Sequence, residues 1–222
     1  MTELSALLSI RPGVTAFIGG GGKTTTLWVL GEELRRRGRV VLCTTTRIYP
    51  FSDIPLVTDC AALPAALDRY PLVCAGTPAE AGKLAAPAAS MEALAALADY
   101  VLVEADGSKG LPMKAHLPHE PVIPAEAGQT ICLVGASGFG RPVRQAVHRP
   151  EVFCALTGLA PDAPVTPQAA AAALLAEGCG DILLINQCDC PGGWENAAAL
   201  AAAWGRPAWG AALQKEEWRC LS

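Results

Sequence analysis

Short apolar runs alternate with stretches of helical periodicity along the whole chain. Val14-Thr15-Ala16-Phe17-Ile18 reads as a buried strand, and Arg39 to Cys43, Pro71 to Gly76, Asp99 to Glu104, Thr130 to Gly135 and Asp181 to Ile185 read the same way. Near-continuous apolar runs of this kind fit strands covered on both faces. Thr25 to Leu30 opens a helical pattern that ends in Arg35-Arg36-Arg37-Gly38, and Asp59 to Tyr70 is a weaker one. Ser90 stands as an N-cap before a third helix, Thr166-Pro167 supply the cap and first residue of an alanine-rich fourth, and Trp194 to Trp204 form a fifth. Strand and helix in alternation predict an α/β fold: a three-layer sandwich on a mostly parallel sheet, in a single domain over residues 1–222. Residues 105–127 break the rhythm with a long irregular segment rich in Pro, Lys and His, a length that predicts a functional loop.

Composition changes this picture little. The net charge of −4 argues against a nucleic-acid binder, and the Arg35 to Arg37 cluster belongs to a helix C-terminus, where cations are favoured. The Ala169 to Ile185 stretch is interrupted by Glu177 and Asp181, so no membrane span is expected. The N-terminus has no basic signal-peptide segment. Nine cysteines, an odd number scattered through apolar runs, suggest reduced thiols and a cytoplasmic setting.

The strongest chemical signal lies between the first strand and the first helix. Gly19-Gly20-Gly21-Gly22-Lys23-Thr24 has the context of a P-loop. Glycines let successive amides curl around an anion, and the helix start adds unpaired N–H donors and a positive dipole end. Lys23 would reach the outer phosphates, the Thr24 hydroxyl would bind Mg²⁺, and Thr25 continues the first turn. The common pattern places its first glycine where this chain has Phe17, so the loop is expected to be shortened or differently folded at its entrance.

Four further segments add to this. Val101-Leu102-Val103-Glu104-Ala105-Asp106 is an apolar strand ending in carboxylates, and Glu104 and Asp106 compete for a Walker-B role on Mg²⁺. Asn186-Gln187-Cys188-Asp189 is similar to the N-K-x-D element of GTPases, in which Asp189 would accept two hydrogen bonds from guanine and Asn186 would support loop and base. Turn chemistry after a strand explains the same residues equally well. Thr44, Thr45, Thr46 and Arg47 stand at a strand's C-terminal end, where α/β sheets bind ligands and where they would contact a γ-phosphate or Mg²⁺; β-propensity and turn chemistry explain them equally well. Lys109, Lys114, His116, His119 and Glu120 crowd one loop, with His148 and Arg149 as further members or as helix-capping residues. His116 and His119 straddle a proline with no cysteine nearby in sequence, which favours substrate or partner contacts over a metal. Cys188 and Cys190 form a C-x-C pair that suits either a soft metal or selenium species or, more simply, two buried thiols.

Together, Gly19 to Thr24, Thr44 to Tyr49, Val103 to Lys114, His119 to Pro124, His148-Arg149-Pro150 and Asn186 to Asp189 resemble the YqeC family, accessory proteins of selenium-dependent molybdenum hydroxylases. The resemblance implies a bacterial cytoplasmic P-loop protein whose partner is a client molybdenum hydroxylase or its cofactor. The layout is also similar to metallochaperone GTPases, but their extra P-loop lysine would fall at Ile18. Lys109 is the candidate substitute.

The expectation is therefore a protein that binds GTP or ATP with Mg²⁺ and hydrolyses it slowly, with catalytic candidates Lys23, Glu104, Asp106 and Lys109. The Lys109 to Glu120 loop would meet cargo or client, and a homodimer is open. A small-molecule kinase or ATP-dependent ligase and a non-hydrolysing nucleotide-binding module are the rivals.

Overall fold

The computed structural model describes residues 2–221. Its main sheet has nine strands: β1 (Gly13–Gly19), β2 (Val40–Thr44), β3 (Leu56–Val57), β4 (Leu72–Ala75), β5 (Tyr100–Glu104), β6 (Ala127–Gly135), β7 (Ile182–Asn186), β8 (Ala208–Ala212) and β9 (Glu217–Cys220). Their order is β9-β8-β7-β6-β1-β5-β2-β4-β3. Pairings β1–β5, β2–β5, β2–β4, β3–β4, β6–β7 and β7–β8 are parallel, and β9 is antiparallel to β8. The fold is thus α/β with a mostly parallel sheet flanked by helices, the architecture expected for a P-loop protein.

The chain forms two compact units. The first holds residues up to Phe17, Thr24–Gly107 and Val122–Thr130. Val41, Cys43, Val73, Ala75, Val101 and Val103 alternate along three strands and therefore share one face, where they pack with Leu63, Leu67 and Leu94 of the helices Leu63–Arg69 and Met91–Leu97. The opposite face receives the helix Lys23–Leu34: a Cβ at Gly31 would lie 3.1 Å from Leu72 and 3.4 Å from Leu42. A side chain there would have to displace those leucines, so the glycine sets how closely the helix seats. Burial pushes the Cys43 thiol well above its usual pKa, which keeps it an inert apolar filler.

The second unit holds Ile18–Lys23, Ser108–Pro121 and Ile131–Ser222. It contains β7, β8, β9 and most of β6, with the helices Pro150–Thr157, Pro167–Glu177 and Gly193–Trp204. Strand β7 registers with β6 from Ile182↔Ile131 to Asn186↔Gly135, which brings the exits of the two strands side by side.

The two anticipated caps are present: Ser90 Oγ accepts from the Ala93 amide and Thr166 Oγ1 from the Ala169 amide, each at 3.2 Å. The segment 105–127, expected to be irregular, contains a short strand, Met113–Lys114, paired in parallel with Val147–His148. Strands β8 and β9 lie beyond Trp194 to Trp204, the last element that the hydrophobic pattern predicts. Ala-Trp-Gly-Ala-Ala has poor intrinsic strand preference, and pairing with β7 overrides it. No helix among the described residues is long and apolar enough to cross a membrane.

Candidate functional site

The glycine loop closes tightly within the second unit. The Gly20 amide donates to Leu133 O at 3.0 Å and the Gly21 amide to Leu111 O at 3.2 Å. A Cβ at Gly19 would stand 2.3 Å from Leu133 O, at Gly20 2.7 Å from Leu111 O, at Gly21 2.2 Å from Gly135 N, and at Gly22 2.6 Å from Asn186 Nδ2. Gly19, Gly21 and Gly22 also have φ values of +91°, +85° and +117°. The run of four glycines is thus explained by space and by backbone conformation together. Phe17, which occupies the position of the missing first glycine, is fully buried, and β1 continues to Gly19. The loop is therefore short because the strand is long. Lys23 is buried, and its Nζ reaches back to donate to the Gly19 carbonyl, so the side chain folds over the loop it terminates.

Helix Lys23–Leu34 begins at that lysine. In the first unit, the exposed Thr24 turns its hydroxyl to Glu104 Oε2 at 3.0 Å. Glu104 ends β5 and is 7% exposed; Asp106 is 1% exposed. Both carboxylates are therefore buried, and Glu104 is the one joined to the threonine. The threonine run folds around the end of β5: Thr44 Oγ1 donates to the Glu104 carbonyl at 2.7 Å and accepts the Thr46 amide at 2.9 Å. The Thr45 amide also donates to the Glu104 carbonyl at 3.1 Å, and Thr45 Oγ1 donates to the Val122 carbonyl at 2.7 Å. Arg47 points away to Glu80 at 3.7 Å, with both side chains exposed. Thr24 and Thr25 border an open cavity of about 330 Å³ lined by Trp28, Pro50, Phe51, Ser52 and Asp53. Trp28 Nε1 donates to Asp53 at 2.8 Å, joining two of the lining residues. Nothing in the local sequence pattern marks Trp28 and Asp53 as partners.

At the exit of β7, Asn186 uses both ends of its amide inside the protein. Nδ2 donates to the Gly21 carbonyl at 2.8 Å and Oδ1 accepts from the Leu213 amide at 3.2 Å. Asn186 is 5% exposed, so its contact is with the loop. Gln187, where the GTPase-like element has lysine, sits at φ +62° and accepts from the Ser137 hydroxyl at 2.5 Å. Asp189 is partly exposed and lies 3.7 Å from Lys215 Nζ. Cys188 is buried and its thiol is pushed up to about 11, chiefly by burial; Cys190 is raised as well, again mainly by burial. Both thiols hold their protons at neutral pH, which suits the simpler reading of the pair.

The crowded loop is organised around Glu120. Its carboxylate lies 3.3 Å from Lys114 Nζ and 3.2 Å from Arg149 Nη2, and it also accepts from Arg149 Nε at 3.3 Å. Partial burial opposes this charge, but the Arg149 hydrogen bonds and the Lys114 charge prevail and hold the carboxyl at about 2. Arg149 reaches Glu120 from a left-handed backbone position, φ +68°, at the N-terminus of Pro150–Thr157. His148 pairs in register with Lys114 and is 9% exposed. Neither ring nitrogen has a hydrogen-bond partner among the described residues. Burial, then the charges of Lys114, Arg149 and Lys109, push its pKa down, so the ring is neutral at neutral pH. Lys109 and His119 are exposed. His116 faces elsewhere, toward Glu177 and Cys179. Those two partners stand some sixty residues away, |i−j| of 61 and 63, so no local spacing announces them.

The family model described as YqeC protein matches residues 15–151, the stretch that carries the glycine loop, the threonine run, the β5 carboxylates and the Glu120 cluster. The chain is also similar to "Uncharacterized protein YqeC" of Escherichia coli (strain K12), with 39% identity over 163 residues. That match spans 69% of this chain and 64% of the relative, so just under two thirds of the relative's length is covered. On both grounds the chain belongs to the YqeC family.

Proposed function

We propose that the protein binds a Mg²⁺-nucleoside triphosphate at the glycine loop and, in the role its family resemblance implies, serves the maturation of a molybdenum hydroxylase. One observation carries the nucleotide reading: Lys23 folds over a loop of four glycines, none with room for a Cβ, at the start of a helix. A triphosphate would take the lysine from the Gly19 carbonyl. Because the Gly20 and Gly21 amides are bound to Leu133 and Leu111, the anion-facing donors would come from the first helical turn, the Thr24 and Thr25 amides. Thr24 and Glu104 would hold Mg²⁺, the hydroxyl directly and the carboxylate directly or through water; the ion would offset the charge of the phosphates. Asp106 is the alternative carboxylate. Hydrolysis is expected to be slow, since no activating residue is evident for it among the described residues.

Guanine selectivity rests on Asp189 alone, because the Asn186 amide is engaged at both ends. The Lys109–Glu120 segment, with the neutral His148 and Arg149, would meet the client or its cofactor.

The test is calorimetric titration of the full chain with ATP and with GTP, each with Mg²⁺, repeated on Lys23→Ala and Asp189→Ala. Binding lost in Lys23→Ala supports the reading, and absence of binding to the unaltered chain removes it. A GTP preference that disappears in Asp189→Ala supports guanine recognition; equal affinities unaffected by the change exclude it. One observation favours a second reading, phosphoryl transfer to a small acceptor: the 330 Å³ cavity beside Thr24 and Thr25 is of small-ligand size. Phosphorylated product in an acceptor screen would select it.

A further inference from the structure

The second unit also gathers His116, Glu177 and Cys179. His116 follows the short strand Met113–Lys114, Glu177 ends the helix Pro167–Glu177, and Cys179 lies in the turn before β7. His116 Nδ1 is 2.8 Å from Glu177 Oε2 and 3.6 Å from Cys179 Sγ, and that sulfur is 3.3 Å from Glu177 Oε2. The three ligand atoms all lie within 4.8 Å of one another.

These separations match a metal geometry. Zinc bonds of about 2.0–2.3 Å at tetrahedral angles put neighbouring ligand atoms about 3.3–3.6 Å apart. Two of the three separations are already there, and the third opens by roughly half an ångström once the imidazole–carboxylate hydrogen bond is replaced by bonds to an ion. A fourth donor is at hand, because Cys179 also hydrogen-bonds the buried Cys132 of β6. The ligand types, imidazole, thiolate and carboxylate, are those of zinc sites.

We propose that His116, Glu177 and Cys179 bind a divalent zinc-type ion, with Cys132 as the fourth ligand. Binding takes the neutral His116 ring in the tautomer that carries its proton on Nε2, leaving Nδ1 to ligate, and releases the thiol protons of Cys179 and Cys132 to solvent; no electrons move. Three elements distant in sequence would be joined: the segment after Met113–Lys114, the helix end at Glu177 and the core strand β6. The Glu177 main-chain contact belongs to the same arrangement, since its Oε1 accepts the His116 amide at 2.6 Å and fixes the carboxylate beside the ring. Without an ion, the Cys132 hydrogen bond and burial push the Cys179 thiol far up. Coordination is the step that removes this proton. The inference stands independently of nucleotide binding.

The test uses the purified full chain, stripped with a chelator and loaded with Co²⁺ as a spectroscopic probe. About one Co²⁺ per chain is expected, with a thiolate-to-cobalt charge-transfer band and tetrahedral visible bands. Zn²⁺ should displace it. His116→Ala and Cys179→Ser should each weaken Zn²⁺ binding by roughly tenfold or more in a chelator competition, and Cys179→Ser should reduce the band to at most the contribution of Cys132. The double variant Cys188→Ser/Cys190→Ser should keep the band. Lack of the band in the unaltered chain overturns the proposal whatever the variants do. So does an undiminished band with unchanged Zn²⁺ affinity in Cys179→Ser, or loss of the band in the Cys188/Cys190 variant.

Discussion

The Asn186 side chain donates to the Gly21 carbonyl at 2.8 Å while accepting the Leu213 amide at 3.2 Å. One buried amide thereby ties the glycine loop to the segment that follows β8. Replacing it leaves a carbonyl and an N–H without their partners. Asn186→Ala is expected to cost about 2–3 kcal/mol in urea denaturation. It should weaken ATP and GTP by the same factor, because it loosens the loop and not the base contact. Selective loss of GTP in parallel titrations would contradict this.

Gly21 combines φ +85° with a Cβ position 2.2 Å from Gly135 N. The obstacle is backbone, which cannot rotate aside. Gly21→Ala is therefore expected to destabilise by roughly 2–4 kcal/mol and to abolish nucleotide binding. At Gly110 the φ is +75° but nothing lies within 4 Å, so Gly110→Ala should cost only about 1 kcal/mol and spare binding. Thermal unfolding and calorimetry of the two variants side by side measure the contrast.

The Thr24–Glu104 hydrogen bond bears on how the proposed nucleotide binding would depend on magnesium. Glu104→Gln keeps a hydrogen-bonding group of the same size but removes the charge that would face the ion. We expect the Mg²⁺-dependent part of nucleotide affinity to fall about tenfold, equivalent to about 1.4 kcal/mol, while binding measured in excess chelator is unchanged. Asp106→Asn serves as the comparison. If it produces the larger Mg²⁺ effect, Asp106 takes over the role assigned to Glu104.

Glu120 gives the molecule an acid-side signature. Its carboxyl is held at about 2 against an ordinary value of 4.5, so its ion pairs contribute fully above pH 4.5 and are lost as pH falls toward 2. His148 acts at higher pH. Its folded pKa is below the ordinary 6.5, so acidification through 6.5 protonates the unfolded chain first and lowers stability. Melting temperatures across pH should show both losses. Glu120→Gln should flatten the lower one and leave Lys114 and Arg149 without their shared carboxylate. An unchanged slope between pH 4.5 and 2 would exclude the Glu120 account.

The fold was legible where one signal decides structure. The first strand, the glycine loop and the helix after it follow from hydrophobic runs and glycine alone, and both Ser90 and Thr166 cap as their position requires. Strand β8 was not legible, because its alanines and glycine take their conformation from pairing with β7. Individual site residues were nameable, but their partners were less so. Which group Asn186 would hold, that Trp28 would meet Asp53, and that His116 would turn from the Lys114–Glu120 cluster to Glu177 all depend on long-range packing. Local residue spacing carries no information about it.

The Glu104 carbonyl accepts both the Thr44 hydroxyl and the Thr45 amide. A backbone oxygen cannot swing independently of its own residue, so the acid and the segment leaving β2 are mechanically coupled. Any rearrangement of residues 44–46 has to break two hydrogen bonds or drag the end of β5 with it. A pull on that segment would therefore be felt at the carboxylate without either side chain changing its chemistry.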